Sequence, residues 1–394
     1  MIQIPQKNFL SRRDFTTRLA TAGAGAMIAV SRSPAQSSAA SPQIIDVHHH
    51  FMAPEVEKVI ATKMNQNSTY YTNFITLNQW RNWSPASDVE IMDKQGVQTA
   101  LLSVTTPGVD FGNAGESKNL ARQFNEYGAK MVSDFKGRFG LFAVLPLPDI
   151  DNTLKEIEYV FDTLKVDGVG LLTSYSTRWL GDRMYQPVFD ELNRRNAVVY
   201  THPIDAPCCR DLQAGVGPTT FEFPTDTTRA ILSLLYPTPP PGEAGRGRGA
   251  APGEAGRGGR GRGPAPESPA ERYSNIKFIF SHGGGTLPSV IERIGIGGAD
   301  TLNDILAKPA ESNSRLAQLR RFYYDTATST NIVQMQALKT IAGVSQIVFG
   351  TDYPFGGDAE KHYIGLKGCS FSSSELAGIC RDNAMKFLPM FKER

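Results

Sequence analysis

Eight short apolar runs alternate along the chain with longer segments in which apolar residues recur at helical spacing. The runs are rich in Val, Ile, Leu, Phe and Ala, the composition of strands that are buried on both faces of a parallel sheet. They occupy residues 43–47, 98–104, 139–145, 168–173, 197–201, 276–281, 322–326 and 346–350. Because eight strands separated by helices are the chain order of a (β/α)8 barrel, the pattern predicts an α/β fold of the TIM-barrel class.

The segments between the runs carry the end signals of helices. We predict helices over residues 88–95, 117–135, 151–164, 185–195, 227–236, 287–294 and 335–341. The first of them stops before Gly96, a residue type that favours a helix C-terminus. A final helix is predicted to begin at Ser372, because Glu375 stands three residues later and completes a capping-box pattern.

One segment, Pro237 to Arg272, interrupts this alternation. Gly or Pro fills 18 of its 36 positions, and the sequence Pro-Gly-Glu-Ala-Gly-Arg-Gly occurs at 241–247 and again at 252–258. Such a segment buries too little apolar surface to offset its chain entropy, so we predict a disordered, low-complexity surface insertion before the sixth strand. Because it precedes a strand, it is expected on the barrel face opposite the active site.

The first 41 residues have the layout of a twin-arginine signal peptide. Arg12 and Arg13 precede an uncharged run at 19–30 and a Ser- and Ala-rich stretch at 31–41, with cleavage expected near Ala39. The uncharged run is shorter than the roughly 20 residues that a membrane-spanning helix needs, so no stable membrane insertion is expected. We therefore predict an exported, periplasmic protein whose catalytic domain spans residues 42–394.

Charge and cysteine content limit the classes of partner. The formal net charge is +2, of which residues 1–41 contribute +4 from five basic residues and one acid, so that −2 is left for the remainder. That charge weakens the case for the clustered basic surface of a nucleic-acid-binding protein, so no nucleic-acid partner is expected and a small-molecule partner is expected instead. The four cysteines form no C-x-x-C zinc spacing, which favours inert thiols.

The strongest chemical signal is the sequence Asp46-Val47-His48-His49-His50 at the end of the first predicted strand. Side chains alternate between the two faces of a strand, so His48 and His50 are expected on one face with Asp46, and His49 on the other. Two imidazoles on one face at the carboxyl end of a barrel strand form half of a metal site. The alternative is a chance cluster of histidines in a loop.

Three further polar residues end later strands. His202 follows the fifth predicted strand, His282 the sixth and Asp352 the eighth. Barrel enzymes keep their active sites at the carboxyl ends of the strands. Any one of these residues alone would more often be structural, but their shared position predicts a metal-dependent enzyme.

Four motifs in combination resemble a known family: Asp-x-His-x-His, the His after strand five, His-Gly-Gly-Gly after strand six and Thr-Asp-x-Pro after strand eight. From about residue 44 to 387 the chain is similar to the amidohydrolase-related, metal-dependent decarboxylases, the branch of aminocarboxymuconate-semialdehyde decarboxylase and the hydroxybenzoate decarboxylases. The resemblance implies a barrel of the metal-dependent hydrolase type with one divalent metal, usually zinc or manganese, and we favour zinc. It implies His48, His50, His202 and Asp352 as the metal ligands and His282 as an unliganded catalytic base. Iron and cobalt also suit three His and one Asp.

The resemblance further implies a homodimer. In the family an Arg eleven residues after the catalytic His crosses the dimer interface and holds a substrate carboxylate, and Arg293 has this spacing. An Arg on a helix surface that pairs with Asp or Glu is the alternative.

Shorter stretches at 106–109, 145–149 and 179–182 look like those of 6-methylsalicylate decarboxylases. This likeness points to a hydroxy-aromatic carboxylic acid as the substrate, with 6-methylsalicylate as one candidate. Trp179 follows the fourth strand, where it is expected either to line the substrate pocket or to belong to the core.

Two reactions fit these residues. We favour non-oxidative decarboxylation by a carboxy-lyase, in which Asp352 is both a metal ligand and the proton donor and His282 positions or relays the proton. In the alternative, His282 deprotonates a water molecule that hydrolyses an ester, lactone or amide. A binding protein without catalytic activity would not need His282 or Asp352.

Overall fold

The computed structural model describes residues 43–66, 80, 82–206, 209, 215–236, 267–294, 303, 306 and 314–392. The predicted signal peptide and residues 237–266 of the predicted insertion lie outside these ranges. The last part of that insertion is described, and there the prediction of disorder was wrong. Pro269–Arg272 forms a helical turn, and the Ser268 hydroxyl accepts the backbone N–H of Glu271 in a capping box. Ser268-x-x-Glu271 is thus a helix-start signal that the surrounding Gly and Pro residues obscured.

Eight parallel strands form the barrel and pair in chain order. They are β1 (Ile44–His50), β2 (Val97–Ser103), β3 (Phe139–Val144), β4 (Gly168–Leu172), β5 (Val198–His202), β6 (Lys277–Phe280), β7 (Tyr323–Asp325) and β8 (Ile347–Val348). Backbone hydrogen bonds bring the last strand back to the first: Val47 N–H donates to Phe349 O and His50 N–H to Tyr353 O, each at 2.9 Å. All eight predicted strands and the TIM-barrel prediction are confirmed.

Helices cover the outside of the strands. The α-helices are α1 (Pro54–Gln66), α2 (Pro85–Gln95), α3 (Ala114–Asp134), α4 (Ile150–Tyr159), α5 (Gln186–Arg194), α6 (Pro218–Leu235), α7 (Pro269–Arg272), α8 (Leu287–Val290), α9 (Arg315–Leu319), α10 (Ile332–Ala342), α11 (Ala359–Lys367), α12 (Ser373–Ala377) and α13 (Asn383–Met385). Gly96 ends α2 in a left-handed conformation, and the Ser372 capping box opens α12, both as predicted. Within the described ranges no helix has both the length and the apolar character needed to cross a bilayer.

Alternating strand residues divide the core into two layers. Leu101, Phe142, Val198, Ile279 and Val348 belong to one buried cluster, which also takes in residues of the C-terminal segment. Their strand neighbours belong to a second buried cluster, which the surrounding helices share: Ala100, Leu102, Leu141, Ala143, Val199, Phe278, Phe280, Ile347 and Phe349. The first layer fills the barrel and the second lies between strands and helices, as the period of two along each strand requires.

The end of β1 departs from this alternation. Ile45 and Val47 belong to the cluster inside the barrel, so strict alternation would turn His48 outward. The pairing of β1 with β2 shifts register between Asp46 and His49, however, and such a bulge re-aims the residues that follow it. His48 accordingly lies against the ring of Tyr200, itself inside the barrel, with centroids 5.3 Å apart.

Candidate metal centre and active site

His48, His50, His202 and Asp352 converge at the carboxyl ends of the strands. One donor atom from each residue can be chosen so that all lie within 4.8 Å of one another. The Nε2 atoms of His48 and His50 are 3.1 Å apart, and each is 3.1 Å from Oδ1 of Asp352. Nε2 of His202 is 3.9 Å from the same oxygen. The sequence prediction that these side chains come together is confirmed.

Hydrogen bonds on the far side of the ring aim His50 and His202 at a common point. Nδ1 of His202 lies 2.8 Å from the backbone oxygen of Pro203, and Nδ1 of His50 lies 3.3 Å from that of Ser103. Because a carbonyl oxygen only accepts, Nδ1 carries the proton in both rings and the Nε2 lone pairs are free. This is the arrangement of metal-binding histidines, whose outer nitrogen is held by an acceptor. The residues therefore fit a divalent cation.

The electrostatics of the group also suit a cation. Burial lowers the pKa of His50 and lowers that of His202 to about 4, so both rings are neutral at neutral pH. Burial alone would lower the pKa of His48, but the charges of Asp325 and Asp352 outweigh it and raise that pKa to about 10. Burial would likewise raise the pKa of Asp352, yet the charge of His48 and the hydrogen bond from that ring hold it well below its usual value. The two carboxylates thus stabilise positive charge at the centre of the group.

Asp325 is the site residue that the sequence analysis missed. It ends β7 and is completely buried. Its Oδ2 lies 2.7 Å from Nδ1 of His48, while its Oδ1 accepts the backbone N–H groups of His282 at 2.8 Å and Ala327 at 3.0 Å. A signal was present, since Asp325 is an acid inside an apolar run and ends its strand as His202 ends β5.

His282 lies beside the histidine group without joining it. Its ring centroid is 5.1 Å from that of His48 and 6.1 Å from that of His202. Burial lowers its pKa to about 4, so the ring is neutral at neutral pH. Nδ1 is hydrogen-bonded, whereas Nε2 is buried and has no protein partner among the described residues. A neutral imidazole with one unused nitrogen beside a metal-binding group suits proton transfer to or from a bound substrate.

The glycines after His282 let its loop pass close to neighbouring backbone. Gly283, Gly284 and Gly285 all have positive φ. A Cβ atom on Gly285 would lie 1.9 Å from the backbone oxygen of Pro224 in α6, closer than packed atoms can approach. The Gln334 side chain fixes the turn from the other side, because its Nε2 donates to His282 O at 3.0 Å and to Gly285 O at 3.2 Å.

His49 and Asp46 serve the fold around the site. Nε2 of His49 lies 3.0 Å from Oδ1 of Asp88 in α2, and its ring stacks on that of Tyr353 with centroids 4.4 Å apart. The exclusion of His49 from the metal group is therefore correct. Asp46, in contrast, does not share the face of His48 and His50 as predicted. Its Oδ2 lies 3.2 Å from Nδ1 of His49 and accepts the Thr351 hydroxyl at 2.6 Å, because the bulge in β1 separates it from the later histidines.

Among the described residues, neither Arg293 nor Trp179 makes a hydrogen bond or ion pair with the four metal-type donors. Arg293 is exposed in the 3₁₀ turn Ile291–Ile294 and makes no ion pair or hydrogen bond with the described residues. Trp179 belongs to a two-stranded hairpin, Ser174–Tyr175 with Arg178–Trp179, and is half-buried against the core. Its Nε1–H donates to Oδ1 of Asp226 at 2.8 Å.

Asp226 in α6 is a second buried acid that the sequence analysis did not single out. It accepts the Thr173 hydroxyl as well as the Trp179 indole, and Thr173 in turn accepts the backbone N–H of Ile204 at 3.2 Å. Burial raises the pKa of Asp226. Asp226 therefore ties together the segments that follow β4 and β5 at the active-site end of the barrel.

Comparison with known proteins agrees with this geometry. The family described as amidohydrolase matches residues 45–390. This chain belongs to the amidohydrolase family. Among its relatives, the decarboxylase yanB of Aspergillus niger is 32% identical over 88% of this chain and 88% of its own length. The 6-methylsalicylic acid decarboxylase of Penicillium expansum is 30% identical over 79% of this chain and 84% of its own length.

Solved structures share the fold of this amidohydrolase. A dihydroxybenzoic acid decarboxylase from Polaromonas sp., crystallised with manganese and the inhibitor 2-nitroresorcinol, has a TM-score of 0.67 and 20% sequence identity. The match covers 89% of this chain and 98% of that one. The resemblance of the sequence to metal-dependent decarboxylases is confirmed, and among the two reactions the relatives favour a carboxy-lyase over a hydrolase.

Proposed function

We propose that this amidohydrolase is a metal-dependent, non-oxidative decarboxylase of a hydroxy-aromatic carboxylic acid. The observation that carries the proposal is the unpartnered Nε2 of His282 beside the converging donors of His48, His50, His202 and Asp352. The chain aligns over most of its length with proteins named as decarboxylases, which supports the same reaction.

The side chains of the site have different roles in the proposed reaction. When bound, a divalent cation would supply a Lewis-acid centre that neutralises charge on substrate oxygens. His48, His50 and His202 would hold it through Nε2, and Asp352 through its carboxylate. His282 is the group that takes or returns a proton through Nε2. Asp352 is the proposed proton donor to the ring carbon; because its pKa is held low, it must first receive a proton to act in that way.

An assay of products tests the reaction type. Purified, metal-loaded protein is incubated with hydroxybenzoates, including 6-methylsalicylate, and separately with esters and lactones. We expect carbon dioxide and the decarboxylated phenol from a hydroxybenzoate, with no acid released from the esters. Acid release without carbon dioxide would establish the hydrolase alternative instead. The His282→Ala variant should lose decarboxylation, and full activity in that variant would refute the role of His282.

6-Methylsalicylate is our specific substrate proposal. It is supported by the likeness to the Penicillium expansum protein, which is named for that substrate. In this proposal Trp179 contributes the face of its indole ring to the pocket wall, since its N–H is already bonded to Asp226. The ratio kcat/KM across ring-substituted salicylates tests this choice. A preference for a dihydroxybenzoate over 6-methylsalicylate would contradict it.

We propose zinc as the native metal, with manganese as the alternative. Zinc is supported by a donor set of three imidazoles and one carboxylate around a small buried site. Manganese is supported by the Polaromonas decarboxylase crystallised with that ion. Elemental analysis of protein purified without added metal decides between them, and one equivalent of manganese without zinc would contradict our choice.

We further propose that the enzyme is a homodimer in which Arg293 acts in the partner's active site. The exposure of Arg293 without a partner among the described residues supports this role. Mixing inactive Arg293→Ala and His282→Ala proteins should restore activity, because a mixed dimer contains one complete site. Glu292→Ala is the matched control for the exposed turn and should keep full activity. Activity that is not restored in mixtures shown to exchange subunits would contradict the proposal.

Export through the twin-arginine route is proposed from residues 1–41 alone. Replacing Arg12 and Arg13 together by lysine should leave the protein inside the cytoplasm, whereas the wild type should appear in the periplasmic fraction. Lys7→Arg is the control outside the arginine pair. Equal periplasmic amounts of the wild type and the double lysine variant would refute this proposal.

A further inference from the structure

The turn that follows β7 contacts the outer nitrogen of His282. Nδ1 of His282 lies 2.9 Å from the hydroxyl oxygen of Thr328 and 3.3 Å from the backbone oxygen of Ala327. The same turn is also held to the end of β7, because Ala327 N–H donates to Asp325 at 3.0 Å. His282 is thus held from its outer side by two adjacent residues.

These contacts select one tautomer of His282. The Ala327 oxygen is a carbonyl and can only accept, whereas the Thr328 hydroxyl can donate or accept. A bare Nδ1 would place its lone pair against that carbonyl oxygen. The proton therefore belongs on Nδ1, where both oxygens accept it, and Nε2 is left with a lone pair. That nitrogen is the buried atom with no protein partner among the described residues.

The backbone of Thr328 has an unfavourable conformation. Its φ is 49°, the left-handed region that β-branched residues avoid. Its backbone N–H donates to Nε2 of His362 in α11 at 3.2 Å. Nδ1 of His362 in turn lies 2.9 Å from the backbone oxygen of Asp358, so the proton of that ring is on Nδ1 and Nε2 is free to accept. His362 is buried at 3% exposure, which keeps water from replacing it.

We propose that Thr328 and His362 are positioning residues that hold His282 with its proton on Nδ1, so that Nε2 faces the substrate as a proton acceptor. His362 fixes the backbone of Thr328, and the Thr328 hydroxyl and the Ala327 oxygen fix the ring. This inference rests on the proposed function for the identity of the reaction. The tautomer itself does not depend on which substrate is used.

Nuclear magnetic resonance of histidine labelled with ¹⁵N reads the tautomer directly. The zinc-loaded protein is used without substrate, and the His282 signals are assigned by their loss in His282→Gln. We expect the pattern of a neutral ring protonated at Nδ1. A ring protonated at Nε2 would overturn the proposal. Because this readout needs no turnover, it stands even if decarboxylation itself is not observed.

Substitutions at Thr328 test the hydroxyl. Thr328→Val keeps the β-branched shape and removes the hydroxyl, whereas Thr328→Ser keeps the hydroxyl. We expect Thr328→Val to lower kcat by about 10- to 100-fold, with KM within about twofold; this loss is no larger than the smallest contribution typical of a proton-transfer group, because the group itself is kept. Thr328→Ser should recover most of the rate. Thr340→Val, which removes an exposed hydroxyl from α10, is the matched control and should behave as wild type.

Three results would overturn the assignment to Thr328. They are a Thr328→Val enzyme as active as the control, a Thr328→Ser enzyme as slow as the valine variant, and an effect on KM alone.

At His362, glutamine offers an acceptor oxygen and phenylalanine offers none. We expect His362→Gln to keep more of kcat than His362→Phe, and equal loss in two folded variants would contradict the role of His362. If His362→Phe does not fold, the pair at Thr328 decides.

Discussion

Nδ1 of His48 lies 2.7 Å from Oδ2 of Asp325, whose other oxygen accepts the backbone N–H of His282. One buried carboxylate at the end of β7 therefore orients the ring of a proposed metal ligand and fixes the loop of the proposed proton acceptor. Both contacts come from a residue that is not one of the four metal-type donors.

Asp325→Asn should weaken metal binding without unfolding the protein. The amide can accept the backbone N–H groups through its oxygen, but its NH₂ group then faces Nδ1 of His48 and cannot accept a proton from it. We expect an increase in metal Kd of about 10- to 100-fold, the usual effect of losing an acceptor behind a ligating histidine. Competition with a chelator measures it. Asp134→Asn on the exposed surface of α3 is the control, and an unchanged Kd in Asp325→Asn would refute the role of Asp325.

Gly285→Ala should disrupt the loop of His282. The new Cβ would lie 1.9 Å from the backbone oxygen of Pro224, and the residue has a φ of 67°. Gly137→Ala is a matched control, since its φ is 79° and nothing lies within 4 Å of the added atom. The control should lose about 1–2 kcal/mol in free energy of unfolding from backbone strain alone. Urea unfolding should show a clearly larger loss for Gly285→Ala, together with lost activity; equal losses would show that the contact with α6 is unimportant.

Asp88→Asn should lower stability while leaving the metal in place. Burial opposes a charge on His49, yet its two acid partners raise the pKa of that ring to about 10. In the variant a neutral amide would replace one of these acids, so the buried imidazolium would lose part of the negative charge that balances it. Breaking a buried pair costs about 3–5 kcal/mol when one partner is removed, and the isosteric amide should cost less than that. Urea unfolding and metal analysis measure the two effects. Asp93→Asn, an exposed acid of the same helix, should change neither. Loss of metal from folded Asp88→Asn would contradict a purely structural role for His49.

Trp179→Phe separates packing from substrate contact. The change removes the N–H that donates to Asp226 but keeps an aromatic face. A buried acceptor left without its partner costs about 1–3 kcal/mol, so we expect that loss in free energy of unfolding. KM should rise by less than about threefold, because ring contact is retained and each tenfold change in affinity requires about 1.4 kcal/mol. A large rise in KM at unchanged stability would mean that the indole N–H reaches the substrate.

The barrel and the convergence of the four metal-type donors could be predicted because their signals are local. Apolar runs mark the strands; His202 stands directly after one of them, and Asp352 stands two residues after another. The carboxyl ends of all barrel strands meet at one face, so residues that follow different strands are expected to lie close together in space. His48 and His50 lie together as predicted, although the strand is not regular there.

The remaining features depend on contacts between distant segments. The bulge in β1 separates Asp46 from the metal-binding histidines, and it is set by pairing with β2 rather than by local sequence. Asp325 lies inside an apolar run, so the sequence could place it in a strand. Its contact with His48, which is 277 residues away along the chain, could not be predicted in this way. The left-handed Thr328 and its contact with His362 likewise require the closed barrel.

The most direct test of metal-dependent decarboxylation is a titration in which the metal is removed stepwise. Bound metal and released carbon dioxide are both measured on the same samples. The labelled substrate is a hydroxybenzoate that carries ¹³C in its carboxyl group. We expect ¹³CO₂ release to fall in proportion to the metal lost and to return when one equivalent of zinc or manganese is restored. His48→Ala should show neither metal nor release, and His282→Ala should keep the metal without release. Full release of ¹³CO₂ from metal-free protein, or from His282→Ala, would contradict the account.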